Sequence, residues 1–237
     1  MGQEHIAKQF DVELENVRAK VLRMGGLIEE QIEAAVTALQ DGDVSLARQV
    51  IENDRRVNGL EVSIDEDCTH IIARRQPAAS DLRLILAIIK TITDLERIGD
   101  EAKKMARMAL LLHESDRLLQ SHLPVDLRHG AQLAITMLGR TLDAFARLDA
   151  NSAAQVLRDD RAVDESFRGI FRQLITFMME DSRTISNAID ILFAAKAVER
   201  IGDHAKNMAE YVIYLVKGKD VRHTSVEEIE RTVIRDE

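Results

Sequence analysis

Apolar residues recur every three or four positions along most of the chain, a spacing that predicts long amphipathic helices. The first such stretch covers about residues 10–40, and the Asp-Gly-Asp sequence at residues 41–43 ends it. A second stretch ends before Pro77, and a third runs from Ser80 to about residue 113. No alternating apolar and polar run bounded by turn residues occurs, so the pattern predicts an all-α protein.

The same plan then repeats, because the stretch Glu96-Arg97-Ile98-Gly99-Asp100 recurs as Glu199-Arg200-Ile201-Gly202-Asp203. Nine of the eleven positions 96–106 are identical in 199–209, which indicates an internal duplication. The second half carries helical stretches at about 127–148, onward to about 180, and from there to 217. We therefore expect two tandem bundles of three helices. The first repeat is residues 1–115, the second is 116–218, and 219–237 form a charged tail that we expect to fray.

The duplicated stretch places two acids four residues apart, so that both lie on one face of a helix. These pairs are Glu96 with Asp100 and Glu199 with Asp203, and the apolar stripe of each helix runs directly into them. A glycine inside each stretch costs about 1 kcal/mol relative to alanine in a helix interior. Because this cost occurs twice, it indicates either a closely packed neighbour or a need for space beside the carboxylates.

The preceding helix of each half carries a matching set of oxygen ligands. In the first half these are Asp54 and Asn58, followed on the same face by Glu61, and in the second half they are Asp160 and Asp164. If the helices pack side by side, at least four oxygen-bearing side chains converge in each half. Two carboxylates about 5 Å apart repel by roughly 3 kcal/mol at an effective dielectric constant of 20. Each cluster therefore needs a cation, an arginine or raised pKa values.

Oxygen ligands without cysteine or histidine suit magnesium, calcium, manganese or iron better than structural zinc. We predict divalent or iron-type metal ions as cofactors, with Fe, Mn, Mg and Zn all left open. The candidate metal ligands are Asp54, Asn58, Glu61, Glu96, Asp100, Asp160, Asp164, Glu199 and Asp203.

Other interpretations of the acids are available. Acid pairs four residues apart are common on solvated helix faces, and a bundle that binds no metal is the plain alternative. A ferritin-like di-iron centre would need Glu-x-x-His pairs, and none occurs; Asp67 and His70 are three apart but have no counterpart in the second half. The remaining histidines, including His204, are expected on the surface.

Composition narrows the function further. A net charge of −9 argues against nucleic acid as the main partner, because phosphate binding needs a basic surface. Cys68 is the only cysteine, which excludes an intrachain disulfide and fits a reducing cytoplasm. The N-terminus lacks the basic start and apolar run of a signal peptide. The longest uninterrupted apolar run, 84–89, is too short to cross a bilayer, so we expect no membrane insertion.

No nucleophile elbow, phosphate-binding loop or dinucleotide fingerprint is present, so the sequence predicts a protein that is not an enzyme. The alternative is a metal-dependent enzyme or a metal-storage protein that uses carboxylate-bound ions.

The doubled Glu-Arg-Ile-Gly-Asp motif resembles the PhoU family, as do the segment 75–83 (Arg-Gln-Pro-Ala-Ala-Ser-Asp-Leu-Arg) and the ending 214–218. The resemblance covers about residues 5–223. It implies two three-helix bundles related by pseudo-symmetry, often in dimeric proteins. It also implies that acid-x-x-x-Asp pairs hold metal ions or multinuclear iron clusters. The matching pairs here are Glu96/Asp100, Glu199/Asp203, Asp160/Asp164 and, with an amide in place of one acid, Asp54/Asn58.

The same resemblance implies a cytoplasmic regulator of phosphate homeostasis. Such a protein restrains the phosphate-starvation response and phosphate uptake when phosphate is plentiful. Its expected partners are the ATPase of the phosphate ABC transporter, the phosphate sensor histidine kinase and a second copy of itself.

Overall fold

The computed structural model describes residues 2–114 and 125–234, and all the regular structure in these ranges is helical. Six long α-helices account for most of it, and a 3₁₀ turn at Ser182–Thr184 precedes the sixth. The long helices are α1 (Gly2–Asp41), α2 (Val44–Arg75), α3 (Ala79–Glu114), α4 (Leu127–Arg147), α5 (Ala150–Glu180) and α6 (Ile185–Lys217). A shorter helix, α7 (Val226–Ile234), follows them.

Local chemistry explains where these helices begin and end. Asp43 caps α2 by accepting a hydrogen bond from the Leu46 backbone amide at 2.9 Å, and Asp149 caps α5 in the same way. Gln76 ends α2 in the left-handed conformation at φ 48°, directly before Pro77. Gly218 ends α6 at φ 69°, which confirms the predicted stop. The predicted all-α class is confirmed.

The helices form two three-helix bundles, α1–α3 and α4–α6. The bundles pack against each other through α3 on α6 and α1 on α4. At the second contact Gly25 of α1 meets Leu142 of α4 so closely that a Cβ at Gly25 would lie 2.5 Å from the leucine Cδ1. The tandem arrangement predicted from the duplication is therefore confirmed. The predicted boundary between the repeats, at residues 115 and 116, lies outside the described residues.

The expectation that the C-terminal tail frays was wrong for residues 226–234. Here α7 packs on α5, and Ile229 and Val233 are each only 1% exposed. The three-residue spacing of Val226 and Ile229 was visible in the sequence, but the apolar surface that receives them belongs to a distant helix. In the described ranges no helix is long and apolar enough to cross a membrane.

Candidate metal centre

The structure brings the predicted ligands of the first half together at the contact between α2 and α3. Asp54 is buried on α2, with Asn58 and Glu61 half-buried one and two turns further along. Glu96 and Asp100 follow each other on the facing surface of α3, with 19% and 33% of their side chains exposed. The position of these acids beside the core therefore agrees with the apolar stripe that leads into them.

Burial, together with neighbouring carboxylates, raises the pKa of two of these carboxyl groups. Burial raises the pKa of Glu96, and the neighbouring carboxylates of Asp100 and Asp54 raise it further. Burial likewise raises the pKa of Glu61, with Glu96 as the next cause. The predicted repulsion is therefore present, and a bound cation would relieve it.

A lysine that sequence reasoning missed lies within the first cluster. The Lys103 ammonium is 2.5 Å from Asp54 Oδ2 and 3.7 Å from Asp100 Oδ1. Asn58 Nδ2 lies at the hydrogen-bond limit from the same Asp54 oxygen, 3.5 Å away. One oxygen of Asp54 is thus held by a cationic side chain, and this chain carries its own counter-ion into the cluster.

The second cluster repeats the arrangement on α5 and α6. The Lys206 ammonium is 2.6 Å from Asp160 Oδ2, and Lys196 pairs with Glu199. Although burial lowers the pKa of Lys206, the hydrogen bond to Asp160 and the surrounding carboxylates raise it overall.

Asp203 lies at the exposed rim of this second cluster. Desolvation raises the pKa of Asp203, and the carboxylates of Glu199, Asp160 and Asp164 raise it further. The four predicted acids of the second half therefore share one electrostatic environment.

The signal for the two lysines was present in the sequence, because Ala102-Lys103 recurs as Ala205-Lys206 within the duplicated stretch. Their position could not be predicted from α3 or α6 alone, since each lysine binds a carboxylate of the neighbouring helix. Across residues 2–114 and 125–234, no three histidine, cysteine or carboxylate side chains are already arranged to hold a metal ion. Metal binding thus stays a prediction, and it requires the side chains to rearrange.

Each motif glycine packs against a valine of the helix before it. A Cβ at Gly202 would lie 3.2 Å from Val163 Cγ1, and one at Gly99 would lie 3.4 Å from Val57 Cγ1. The repeated glycine therefore allows a close approach between the two acid-bearing helices. This finding favours the closely packed neighbour over the need for space as the main reason, most clearly in the second half.

Three oxygen atoms on the inner side of the first cluster accept no hydrogen bond from the described residues. They are Gln31 Oε1 of α1, Asp54 Oδ1 and Asn58 Oδ1. Buried acceptors normally have a donor, so these atoms mark a place where a cation or a water would be stabilising. The chemistry of the first cluster therefore fits a metal ion that prefers oxygen ligands.

A polar network between the bundles lies next to both clusters and corrects one expectation. His204 was expected on the surface, but its side chain is 16% exposed and its Nδ1 is 2.6 Å from Asp94 Oδ1 of the other bundle. Asn207 and Tyr211 also donate to Asp94. Burial raises the pKa of Tyr211, and the Asp94 carboxylate raises it further.

The second part of this network is an ion pair. Glu101 is only 3% exposed and accepts from Arg200 at 3.1 Å and from Lys104 at 2.7 Å. Arg200 therefore joins the two bundles rather than screening the acid cluster of its own half. The network links α3 and α6 at the positions directly beside the metal candidates.

Comparison with known proteins gives consistent matches over both halves. Residues 21–109 and 127–212 match the family model described as the PhoU domain. The phosphate-specific transport system accessory protein PhoU of Serratia marcescens is 50% identical over 233 residues, which cover 98% of this chain and 94% of that protein. The protein of the same name from Escherichia coli K12 is 48% identical over 230 residues, or 96% of this chain and 93% of that protein.

Comparison with solved structures gives matches to the same family. The crystal structure of PhoU from Pseudomonas aeruginosa has a TM-score of 0.83 and 51% identity, and the match covers 89% of this chain and 100% of that one. The phosphate transport system regulatory protein PhoU from Streptococcus pneumoniae has a TM-score of 0.82 at 29% identity, over 90% of this chain and 99% of that one.

Proposed function

The chain belongs to the PhoU family, and on that premise we propose that it is a cytoplasmic accessory protein of phosphate transport. It restrains phosphate uptake and the phosphate-starvation response when phosphate is plentiful. The observation that carries this proposal is the close similarity to accessory proteins of phosphate-specific transport systems, which extends over both repeats and nearly the whole chain.

Deletion of the gene tests the regulatory role. The deletion strain should express a phosphatase reporter of the starvation response in phosphate-rich medium, and a plasmid copy of this chain should restore repression. A reporter that stays repressed in the deletion strain contradicts the proposal.

The proposed partners are the ATPase of the phosphate ABC transporter and the phosphate sensor histidine kinase. Large apolar side chains are exposed near the connection of α5 and α6, among them Phe171, Met179 and Phe193, which supports a role in binding other proteins. Pull-down and calorimetry with the purified ATPase and the kinase cytoplasmic region should detect at least one complex. If neither binds, and the protein instead turns over a phosphoester, the metal-dependent enzyme becomes the better interpretation.

We also propose that the protein is a homodimer, as is common in the family. Light scattering coupled to size exclusion measures the mass directly. A mass of about twice the 26.7 kDa chain is expected, and a monomer at micromolar concentration contradicts it.

Metal binding is the last part of the proposal. The ligands would be Asp54, Asn58, Glu61, Glu96 and Asp100 in the first half, and Asp160, Asp164, Glu199 and Asp203 in the second. Raised carboxyl pKa values and unpaired buried oxygens support it. A bound ion would neutralise the repelling carboxylates and draw α2 to α3 and α5 to α6. Elemental analysis of protein purified without chelator should find iron, manganese, magnesium or zinc at one or more ions per chain.

A further inference from the structure

The two halves differ in one buried side chain beside the acids. Gln31 lies on α1 among the core residues and is only 6% exposed, yet its Oε1 accepts no hydrogen bond from the described residues. A buried amide oxygen without a donor costs free energy, because it has left water without a replacement partner. A ligand at this point would remove that cost.

Gln31 faces the same point as Asp54. An ideal Cβ on Gly99 of α3 would lie 3.9 Å from Gln31 Oε1 and 4.0 Å from Asp54 Oδ1, so both oxygens face this stretch of backbone. Asn58 lies beside Asp54, one turn along α2, and its own Oδ1 is also buried and unpaired. Gln31 Oε1 from α1 and Asp54 Oδ1 from α2 therefore both lie within about 4 Å of one point on α3.

The Lys103 ammonium does not occupy this point. It binds Asp54 Oδ2, whereas the unpaired atom is Oδ1. The carboxylate can thus keep its lysine on one oxygen and hold a second positive charge on the other. Glu96 and Asp100 lie close enough to add negative potential.

The second half lacks this set of buried amide and carboxylate oxygens. The first two helices of each half correspond at an offset of 106 residues, which pairs Asp54 with Asp160 and the left-handed Gly42 with the left-handed Leu148. By that offset Gln31 corresponds to Met137, which is 1% exposed, and Asn58 corresponds to Asp164. The first half therefore has two amides where the second has a thioether and a carboxylate.

We propose that Gln31 is a cation ligand, and that with Asp54 and Asn58 it holds one hard divalent ion, such as Mn²⁺ or Mg²⁺, inside the first bundle. This inference rests on the proposed metal binding and assigns the two halves different sites. The ligand groups of the first site are two amide oxygens and one carboxylate, an all-oxygen set of the kind that hard divalent ions prefer.

A competing arrangement is a turned amide. If the amide of Gln31 is reversed, Nε2 faces Asp54 Oδ1 and donates to it, and no ion is needed. The two arrangements predict opposite effects of replacing Gln31 on stability without metal, so they can be separated.

The test uses Mn²⁺ as the probe and Glu199→Gln/Asp203→Asn protein as the background, which leaves only the first site. Free Mn²⁺ is measured by electron paramagnetic resonance, and melting temperature is measured in chelator. Gln31→Met introduces the residue that the second half has at the equivalent position, and Gln31→Glu adds a charge. Gln49→Met is the control, because Gln49 is an exposed glutamine of α2 that lines the same groove between α1 and α2 as Gln31.

We expect the background protein to bind one Mn²⁺. Gln31→Met should weaken binding by about tenfold or more while the melting temperature in chelator stays the same or rises. Gln31→Glu should tighten binding, and Gln49→Met should change neither quantity.

Unchanged Mn²⁺ affinity in Gln31→Met overturns the inference, and a fall in melting temperature in chelator then assigns the turned amide. If the background protein binds no Mn²⁺ but the parent does, the inference fails and the proposed metal binding stands. If the parent binds no metal at all, the proposed metal binding fails as well.

Discussion

Lys103 and Lys206 occupy equivalent positions in the two halves, and each binds the carboxylate that begins the ligand pair on the preceding helix. An ammonium group in this place compensates the acids when no metal is bound. It also competes with a metal, because two cations on one carboxylate repel each other at short distance. The duplicated motif therefore combines the ligands of a metal site with a side chain that limits its affinity.

Replacing Lys206 by methionine should separate these effects. Asp160 is buried and loses its cationic partner, so the melting temperature in chelator should fall. Mn²⁺ affinity should rise by about tenfold, because the repulsion between the ammonium group and the ion is removed. Two unit charges 4 Å apart repel by roughly 4 kcal/mol at an effective dielectric constant of 20, and a tenfold change corresponds to only part of that energy.

Lys20→Met is the control, because Lys20 pairs with Asp67 outside the clusters. Each of these side chains is 38% exposed, so this variant should lower the melting temperature less than Lys206→Met and should leave metal affinity unchanged. A Lys206→Met protein that binds Mn²⁺ no more tightly than the parent would contradict this role.

The carboxyl group of Asp203 gives a second prediction, on pH. Its pKa is raised in the folded protein, so the ionised form is penalised by folding. That penalty is absent below the unfolded pKa of about 3.9, grows as the pH rises toward the folded pKa, and is complete above it. In chelator, the melting temperature of Asp203→Asn should therefore be higher than that of the parent at pH 7, and the difference should vanish near pH 4.

Asp149→Asn is the control with the opposite sign. The hydrogen bonds from Ser152 lower the pKa of Asp149, so its contribution to stability is present at pH 7 and is lost as the pH falls. A gain in Asp203→Asn that does not depend on pH would mean that its charge is not the cause.

At the scale of single helices, the motif glycines decide how closely the acid-bearing helices pack. Val163 is buried and β-branched, and three of its carbon atoms lie within 3.6 Å of a Cβ placed on Gly202. The valine cannot turn away from the added methyl group, because its alternative rotamers are restricted in a helix. Steric cost should then exceed the gain in helix propensity.

Gly202→Ala should consequently lower the melting temperature. Gly169→Ala on α5 is the control, since nothing lies within 4 Å of its Cβ, and it should raise stability by up to about 1 kcal/mol. Urea denaturation of the two variants measures both changes. Equal stabilisation by the two alanines would show that Gly202 has no packing role.

Sequence periodicity predicted the six long helices well, because their apolar stripes and most of their ends depend on neighbouring residues. It failed where the deciding contact comes from elsewhere in the chain. His204 has no local sign of burial, and its partner Asp94 belongs to the other bundle. Gln31 is polar within an apolar stripe, and α7 is held by the surface of α5.

The candidate site, too, could be predicted only in part from the sequence. The acids on each helix were predictable from their spacing of four residues, and the structure places the pairs of adjacent helices together. The lysines were visible as part of the duplication, but their function depends on the distance across two helices. The spacing of residues along one helix gives no measure of that distance.

For the molecule as a whole, the contact between α3 and α6 makes the two bundles one unit. Asp94 accepts from His204, Asn207 and Tyr211, and Glu101 pairs with Arg200. Both acids are buried, so the contact depends on these partners. The network also lies one residue from Asp100 and one from Asp203, so a change at either cluster reaches the contact between the bundles directly.

Asp94→Ala should lower the free energy of unfolding by about 3 kcal/mol, because three donors of the second bundle lose a buried acceptor. Asp190→Ala, an acid of α6 that is half-exposed, should change it by less than about 0.5 kcal/mol. Chemical denaturation gives both values. An Asp94→Ala protein as stable as the parent would show that the bundles do not depend on this network.

Melting the protein with and without metal decides whether the duplicated acids bind metal. The parent and the Glu199→Gln/Asp203→Asn protein are melted in chelator and with added Mn²⁺ or iron. In chelator the double variant should melt at or above the parent, because repulsion at the second cluster is removed. Metal should stabilise the parent by about 2.7 kcal/mol at a hundredfold excess over Kd, and the double variant should gain clearly less. A parent that gains nothing from any of these metals, or a variant that gains as much as the parent, would contradict the claim.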